Sequence, residues 1–328
     1  MGLHLLTFGE ALVEIMRPDV DMPLDQPGTF TGPYPSGAPF IFAVQAARLG
    51  ARVGAIGCVG AEIDGTPDGF ARCLLDQLRA DGVDTSAVLT LAQHTTGAAF
   101  VAYRKDGGRD FIFHLRHAAA GQLAPSMIDQ PQIAALFNGL KCLHLMGSSL
   151  SMHDDALALG TRMLEQAQAS GAKISFDPNL RPQLMSLERA KTVFAPFAAA
   201  ADVILPTVEE AMLLTGAPTA DKAAVELLGD KSGRIVILKR GEHGCSVFSQ
   251  TGRVDVPGFI VQEIDPTGAG DCFDAGFLTH WLRGDTPVEA ARWANACGAL
   301  AVTKRGPMEG AATAAQVQTF INVTQQRI

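Results

Sequence analysis

The run Asp265-Pro266-Thr267-Gly268-Ala269-Gly270-Asp271 leads straight into Cys272-Phe273-Asp274-Ala275-Gly276-Phe277-Leu278. Gly268 and Gly270 let the backbone turn tightly with its N–H groups inward. The apolar helical stretch behind them adds the positive end of a helix dipole. Gly268, Ala269 and Gly270 then form a pocket for negative charge that builds on a transferring phosphoryl group. Asp271, at the helix start, is placed to take a proton from a hydroxyl nucleophile. The plainer alternative is a glycine turn with Asp271 as helix N-cap. The bracketing of two glycines by Thr267 and Asp271 favours the chemical reading.

Around this run the sequence alternates short apolar segments with longer Ala-rich segments of helical spacing. Strands are expected at Leu3–Phe8, Val53–Val59, Cys142–Met146, Ile174–Phe176, Val203–Leu205 and Ile235–Leu238. Helices are expected at Ile41–Leu49, Phe70–Ala80, Asp154–Ser170, Leu187–Ala200, Glu209–Leu214, Ala269–Leu282, Pro287–Val302 and Thr313–Val323. Apolar runs that suit strands buried on both faces, with helices between them, predict an α/β fold with a mostly parallel sheet flanked by helices. Two segments break the rhythm. Residues 12–34 are rich in Pro, Asp and Gly, and residues 96–117 alternate apolar and polar around Asp106-Gly107-Gly108, a hairpin signal. A small β lid on a single domain spanning 1–328 accounts for both.

Ligands in such sheets lie beyond the carboxyl ends of the strands. There the sequence places Asp177-Pro178-Asn179-Leu180-Arg181, Pro206-Thr207-Val208-Glu209-Glu210 and Lys239-Arg240-Gly241-Glu242-His243-Gly244.

Composition narrows the partners. The 328 residues carry a net charge of −8 with no basic run, which argues against nucleic acid and anionic membranes. Six cysteines lie scattered, without Cys-x-x-Cys pairs, and read as free thiols in a reducing cytoplasm. The most apolar stretch, Val193–Leu205, contains Pro196 and Asp202 and is too short to cross a bilayer. The first residues read as a strand rather than a secretory leader. A cytoplasmic protein is expected.

At the Asp265–Asp271 run the chain resembles the ribokinase-like, PfkB-type carbohydrate kinases, from Gly9-Glu10-Ala11-Leu12 to Gly306-Pro307-Met308-Glu309-Gly310. The resemblance implies a parallel sheet with a β lid, ATP and Mg²⁺ as requirements, and Asp271 as catalytic base. A monovalent cation is a further candidate. It places the sugar at Ser36-Gly37 and at Glu14. In relatives the first stretch reads Gly-Gly-Ala-x-x-Asn, so Ser36 and Ile41 depart from the pattern. Thr207 and Glu210 match the family's Asn-x-x-Glu motif, with Thr207 replacing Asn and Glu210 on the metal side. Lys239, Gly241 and Gly244 match the nucleotide-binding strand end, with Thr267 and Asn295 beside it. Lid strands in the family often pair, so a homodimer through the lid is implied.

For the substrate, Arg181 suits a carboxylate or phosphate held bidentately, and Tyr103-Arg104 would add a contact from the lid. In the family's keto-acid sugar kinases a lid Tyr-Arg and an Arg after an Asp-x-Asn stretch serve such roles, so the resemblance implies a keto-acid sugar such as 2-keto-3-deoxygluconate. Ser36-Gly37-Ala38-Pro39 and Gly306–Gly310 resemble more the branch carrying tagatose kinase, so a ketohexose of tagatose or fructose type is the companion expectation. A P-loop is absent, because Gly60–Gly65 lacks the following lysine, and Gly9-Glu10-Ala11 is no dinucleotide fingerprint. A non-catalytic sugar- or nucleotide-binding protein is the remaining rival; it would bind with saturable heat and release no ADP.

Overall fold

The computed structural model describes residues 2–327; Met1 and Ile328, the ends of the expected single domain, lie outside the described residues. In chain order the strands are β1 (Leu5–Phe8), β2 (Leu12–Met16), β3 (Thr31–Ser36), β4 (Val53–Gly60), β5 (Val88–Leu91), β6 (Gly97–Tyr103) and β7 (Arg109–His114). They continue with β8 (Cys142–Met146), β9 (Lys173–Asp177), β10 (Val203–Ile204), β11 (Ile235–Lys239), β12 (Cys245–Ser249) and β13 (Gly252–Val256). Nine form one sheet in the order β13-β12-β11-β10-β9-β8-β1-β4-β5. It is parallel from β11 to β5, and β12 and β13 close one edge as antiparallel strands.

Alternation along each strand splits the core in two. Leu5, Val53, Ala55, Val203, Ile235 and Ile237 face one layer, with helices Ala38–Arg48, Gly69–Ala80, Ala269–Trp281 and Pro287–Ala301. Leu6, Ile56, Leu143, Ile174, Phe176, Ile204 and Val236 face the other, with helices Asp154–Ala169, Leu187–Ala200, Val208–Thr215 and Ala220–Leu228. Burial on both faces is why these strands read as continuous apolar runs. Strand order reverses at β1, with β4 on one side and β8 on the other. The crevice beyond the carboxyl ends of β1 and β8 is the place such a topology reserves for ligands. Ser149 Oγ donates to Glu10 Oε2 across it at 2.8 Å.

The other four strands form a separate sheet, β3-β2-β6-β7, built from the two segments that broke the sequence rhythm. This is the lid. Its hairpin turns at Asp106-Gly107-Gly108, with Tyr103 opposite Arg109. On its outer side Arg17 is fully buried, and its guanidinium donates to the carbonyls of Pro23, Gln26 and Thr29. Thus the Pro- and Gly-rich loop between β2 and β3 folds over an arginine.

The expected helix Leu187–Ala200 matches its observed bounds; the others shift by a few residues at their ends. The strands β5, β12 and β13 and the helix Ala220–Leu228 were not expected. Four of the five β13 residues are exposed, so it has little apolar signal. Among the described residues no helix is long and apolar enough to cross a membrane.

Gln45, buried in helix Ala38–Arg48, closes the chain's far end onto this helix. Its side chain donates to Ala312 O at 2.9 Å and accepts from Ala312 N at 3.0 Å. Gln45→Leu strands two buried backbone groups and is expected to cost about 1–3 kcal/mol. Urea unfolding with a lowered midpoint and an unchanged slope checks this.

Candidate active site

The glycine-rich run forms a bend whose shape is set by one buried carboxylate. Asp265 Oδ1 accepts from Thr267 N at 3.0 Å, and its Oδ2 accepts from Gly306 N and from the Tyr103 hydroxyl, both at 2.9 Å. Gly268 then takes a left-handed conformation, φ 77°, as N-cap of helix Ala269–Trp281. A Cβ there would sit 2.5 Å from Pro307 O, so only glycine fits. Gly270 presents open space: an added Cβ would meet only Lys239 Nζ, at 3.7 Å. The amide of Ala269 leans to Pro266 O at 3.4 Å. This corrects the expected three-amide nest. The first-turn amides of Gly270 and Asp271 are those a helix leaves without an intrahelical acceptor.

Two cavities meet at this bend. One, of about 370 Å³, lies between sheet and lid; Glu10, Glu14, Asn179, Arg109, Arg181 and Asp271 are among its walls. The other, of about 310 Å³, runs along the outer rim past Gly241, Gly244, Phe259, Ala269 and Asn295. Thr207, Lys239, Pro266 and Gly270 belong to both walls.

Acidity in the first cavity is set by burial. Asp271 is 6% exposed, and loss of hydration, reinforced by the nearby charge of Asp177, pushes its pKa up to about 7 against the pull of Arg181 and Lys239. Glu14 is likewise pushed up to about 7 by burial, although Ser36 Oγ donates to its Oε1 at 2.6 Å. Glu10 is raised by burial too. Among the described residues, three buried polar atoms on this wall have no hydrogen-bond partner: Glu14 Oε2, Ser148 Oγ and Asn179 Oδ1. Unspent donors and acceptors around a cavity are what a polyhydroxylated ligand satisfies.

The pfkB family carbohydrate kinase profile matches residues 4–314. The chain belongs to that family. Among curated carbohydrate kinases, Fructokinase-1 of Oryza sativa subsp. japonica is 31% identical over 323 residues, covering 95% of this chain and 96% of its own. An Escherichia coli protein assigned only provisionally as a ribokinase II, solved with ATP and Mg²⁺, superposes with a TM-score of 0.88 at 38% identity, over 98% of this chain and 99% of its own. Fructokinase from Vibrio cholerae O395, solved with fructose, ADP and a calcium ion, gives a TM-score of 0.82 at 27% identity, over 97% and 99%. A double mutant of that fructokinase was solved with fructose, ADP and a potassium ion.

In this carbohydrate kinase the residues expected from sequence fall into three groups. Asp271, Gly268, Gly270, Glu14, Ser36, Gly37 and Arg181 line the lid-side cavity. Thr267, expected on the nucleotide side, lines this cavity instead and accepts from Arg109 Nη1 at 3.0 Å. Gly241, Gly244 and Asn295 line the outer cavity, where Asn295 Nδ2 donates to the carbonyls of Val256 and Pro257.

Four expectations need correction. Arg104 does not reach the cavity; it sits in the hairpin turn, half exposed, paired with Asp106 at 3.2 Å and Asp110 at 2.7 Å. Arg109 takes its place, because it pairs in register with Tyr103 and shares the inward face with Phe111 and Phe113. Tyr103 is spent on Asp265 and Thr267 rather than on the cavity. Lys239 is not a free nucleotide ligand, since its ammonium is bonded to Asp177 and Asp274. Glu210 is engaged by Leu180 N on one oxygen and by Thr207 N and Oγ1 on the other, a capping box that starts helix Val208–Thr215.

Glu10, Asn179 and Arg109 were missed as site residues. The strand-end rule pointed at Glu10, two residues past β1, and at Asn179, two past β9. Arg109 is placed by the pairing of Tyr103 with Arg109 across the hairpin, a register that the sequence signal at Asp106-Gly107-Gly108 left open.

The raised pKa of Asp271 has a stability cost with a definite sign. Unfolded, its pKa is near 3.8; folded, about 7. The stability that protonation preserves is lost as pH rises through that window. Asp271→Asn is therefore expected to raise the melting temperature, and by more at pH 8 than at pH 5, which differential scanning fluorimetry checks.

Proposed function

We propose that this carbohydrate kinase transfers the γ-phosphoryl group of ATP to a primary hydroxyl of a ketohexose of fructose or tagatose type. One observation carries the reading: a sugar-sized cavity and an outer-rim cavity share a wall at Gly270, and Asp271 is buried on the sugar side of that wall. The fructose-bound Vibrio cholerae relative and the rice fructokinase support the ketohexose.

In this scheme the sugar lies between lid and sheet, its hydroxyls meeting Glu14, Ser148 and Asn179. Asp271 takes the proton of the primary hydroxyl as that oxygen attacks the γ-phosphorus. The amides of Gly270 and Asp271 face the charge building on the phosphoryl oxygens. Adenosine occupies the outer cavity, against Gly241, Gly244 and Asn295. When bound with the nucleotide, Mg²⁺ would supply charge neutralisation at the phosphates. Among the described residues no group of three or more His, Cys, Asp or Glu forms a metal cage, and Glu210 already accepts three hydrogen bonds. That donor set fits a magnesium ion held by phosphates and water, with Glu210 orienting the water. A monovalent cation belongs to the reading on the strength of the potassium-bound relative. The chain acts as one domain, and the outward lid residues Phe30 and Ile112 offer apolar surface for pairing with a second copy.

A second substrate reading rests on Arg109 and Arg181. Both line the sugar-side cavity, and neither pairs with a carboxylate within 4.0 Å among the described residues. An acceptor bearing a carboxylate, such as 2-keto-3-deoxygluconate, would meet them.

A coupled ADP-release assay across fructose, tagatose, ribose and 2-keto-3-deoxygluconate separates the readings. The ketohexose reading expects the highest kcat/KM with fructose or tagatose and less than about a tenfold loss in Arg109→Ala and Arg181→Ala, since a neutral acceptor makes no charge-assisted bond there. A preference for the keto acid, with both variants losing more, would replace it.

Asp271→Asn should lower kcat by on the order of 10²–10⁴ while sugar binding by calorimetry persists. The wild-type kcat/KM should fall as pH drops through about 7, where Asp271 takes up a proton. Near-wild-type turnover in Asp271→Asn would remove Asp271 from the role of base.

A further inference from the structure

Asp177 ends β9, is 1% exposed, and has no part in the scheme above. Its Oδ2 accepts from Lys239 Nζ at 3.0 Å, and the same ammonium donates to both oxygens of Asp274, at 3.2 and 3.4 Å. Asp177 and Asp274 therefore share one lysine directly beneath the bend; the ammonium holds Asp177 charged, while burial pushes the Asp274 carboxyl well above the usual carboxylate range. Lys239 is held charged: burial opposes its charge, but Asp177 and Asp274 more than offset that and raise its proton affinity.

The other oxygen of Asp177 faces the site. Oδ1 accepts from the backbone N–H of Asn179 at 3.0 Å. Asn179 has φ 36°, a left-handed conformation that costs a non-glycine residue energy and persists only when its surroundings enforce it. In this conformation Asn179 Nδ2 donates to Asp271 Oδ1 at 3.4 Å, while its Oδ1 is buried on the cavity wall with no partner among the described residues.

We propose that Lys239, Asp177 and Asn179 form a positioning chain for Asp271, in which the lysine fixes Asp177, Asp177 fixes the strained Asn179 backbone, and the Asn179 amide orients the carboxylate while its oxygen accepts from the sugar. The chain rests on the reading of Asp271 as the base. It gives Lys239 a part in aiming the base from below. The charged groups acting on Asp271 come from each element packed around it: Glu10 beyond β1, Asp177 and Arg181 around the end of β9, and Lys239 on β11, with Asp274 on its own helix.

The test compares pH profiles of kcat/KM for the sugar at saturating Mg-ATP in full-length wild type, Asp177→Asn, Lys239→Met and Asn179→Gly. Asp177→Asn removes a negative charge near Asp271, so the acid limb should move down by about one pH unit; Lys239→Met removes a positive one and should move it up by about as much. A packing defect has no reason to move the two in opposite directions, so parallel or absent shifts overturn the proposal. Asn179→Gly tolerates the positive φ and deletes only the amide. It should keep or raise the melting temperature yet lower kcat roughly tenfold or more, as expected when a base loses its orientation. Wild-type kcat in Asn179→Gly overturns the chain even if Lys239→Met fails to fold. Retained turnover in Asp271→Asn sinks the base itself, whereas an inactive Asp271→Asn with unaltered profiles in the other variants sinks the chain alone.

Discussion

Asp265 is the tie on which the site depends. A buried carboxylate must spend its lone pairs or carry a desolvation penalty. This one accepts from the bend at Thr267, from the segment at Gly306 and from the lid at Tyr103. Three stretches of chain far apart in sequence are thus brought to one point, and the left-handed turn at Gly268 follows from that constraint. Arg109, bonded to Thr267, adds a second strap from the same lid strands. The bend, the lid and the late loop form one mechanical unit, with the helix Ala269–Trp281 as its rigid base.

Below that unit the sheet supplies charge. Asp177 and Lys239 end β9 and β11, and Glu10 lies two residues past β1, so all three stand at the carboxyl edge of the parallel sheet. Burial raises the proton affinity of the carboxyls facing the cavity, while Lys239 holds Asp177 in its charged form against the same burial. A site with acids both protonated and charged at neutral pH can bind hydroxyls and accept a proton without a large local charge. The separation is an outcome of where each side chain sits relative to the one buried ammonium.

Much of this was legible in the sequence because it lies in local pattern. The apolar strands, the glycine bend and the hairpin at Asp106-Gly107-Gly108 each carry a short-range signal, and all appear where expected. What escaped depends on pairing between distant segments. Arg104 and Arg109 look alike as residues, and only the register of β6 on β7 says which one faces inward. Lys239 reads as a nucleotide-binding residue until Asp177 and Asp274 are found bonded to it. Glu210 reads as a metal ligand until the backbone of Leu180 is found bonded to it. The strand β13, with only Val254 and Val256 apolar and four of its five residues exposed, carries little apolar signal and pairs along the edge that β12 offers.

Arg17 shows how a stretch that looks pliable becomes stiff. Its guanidinium gathers three carbonyls from the segment between β2 and β3, so that segment cannot peel off without breaking three hydrogen bonds at once. The outer cover of the small sheet therefore travels with it as one piece. Whatever docks against that side meets a fixed contour, shaped by a single side chain inserted from within.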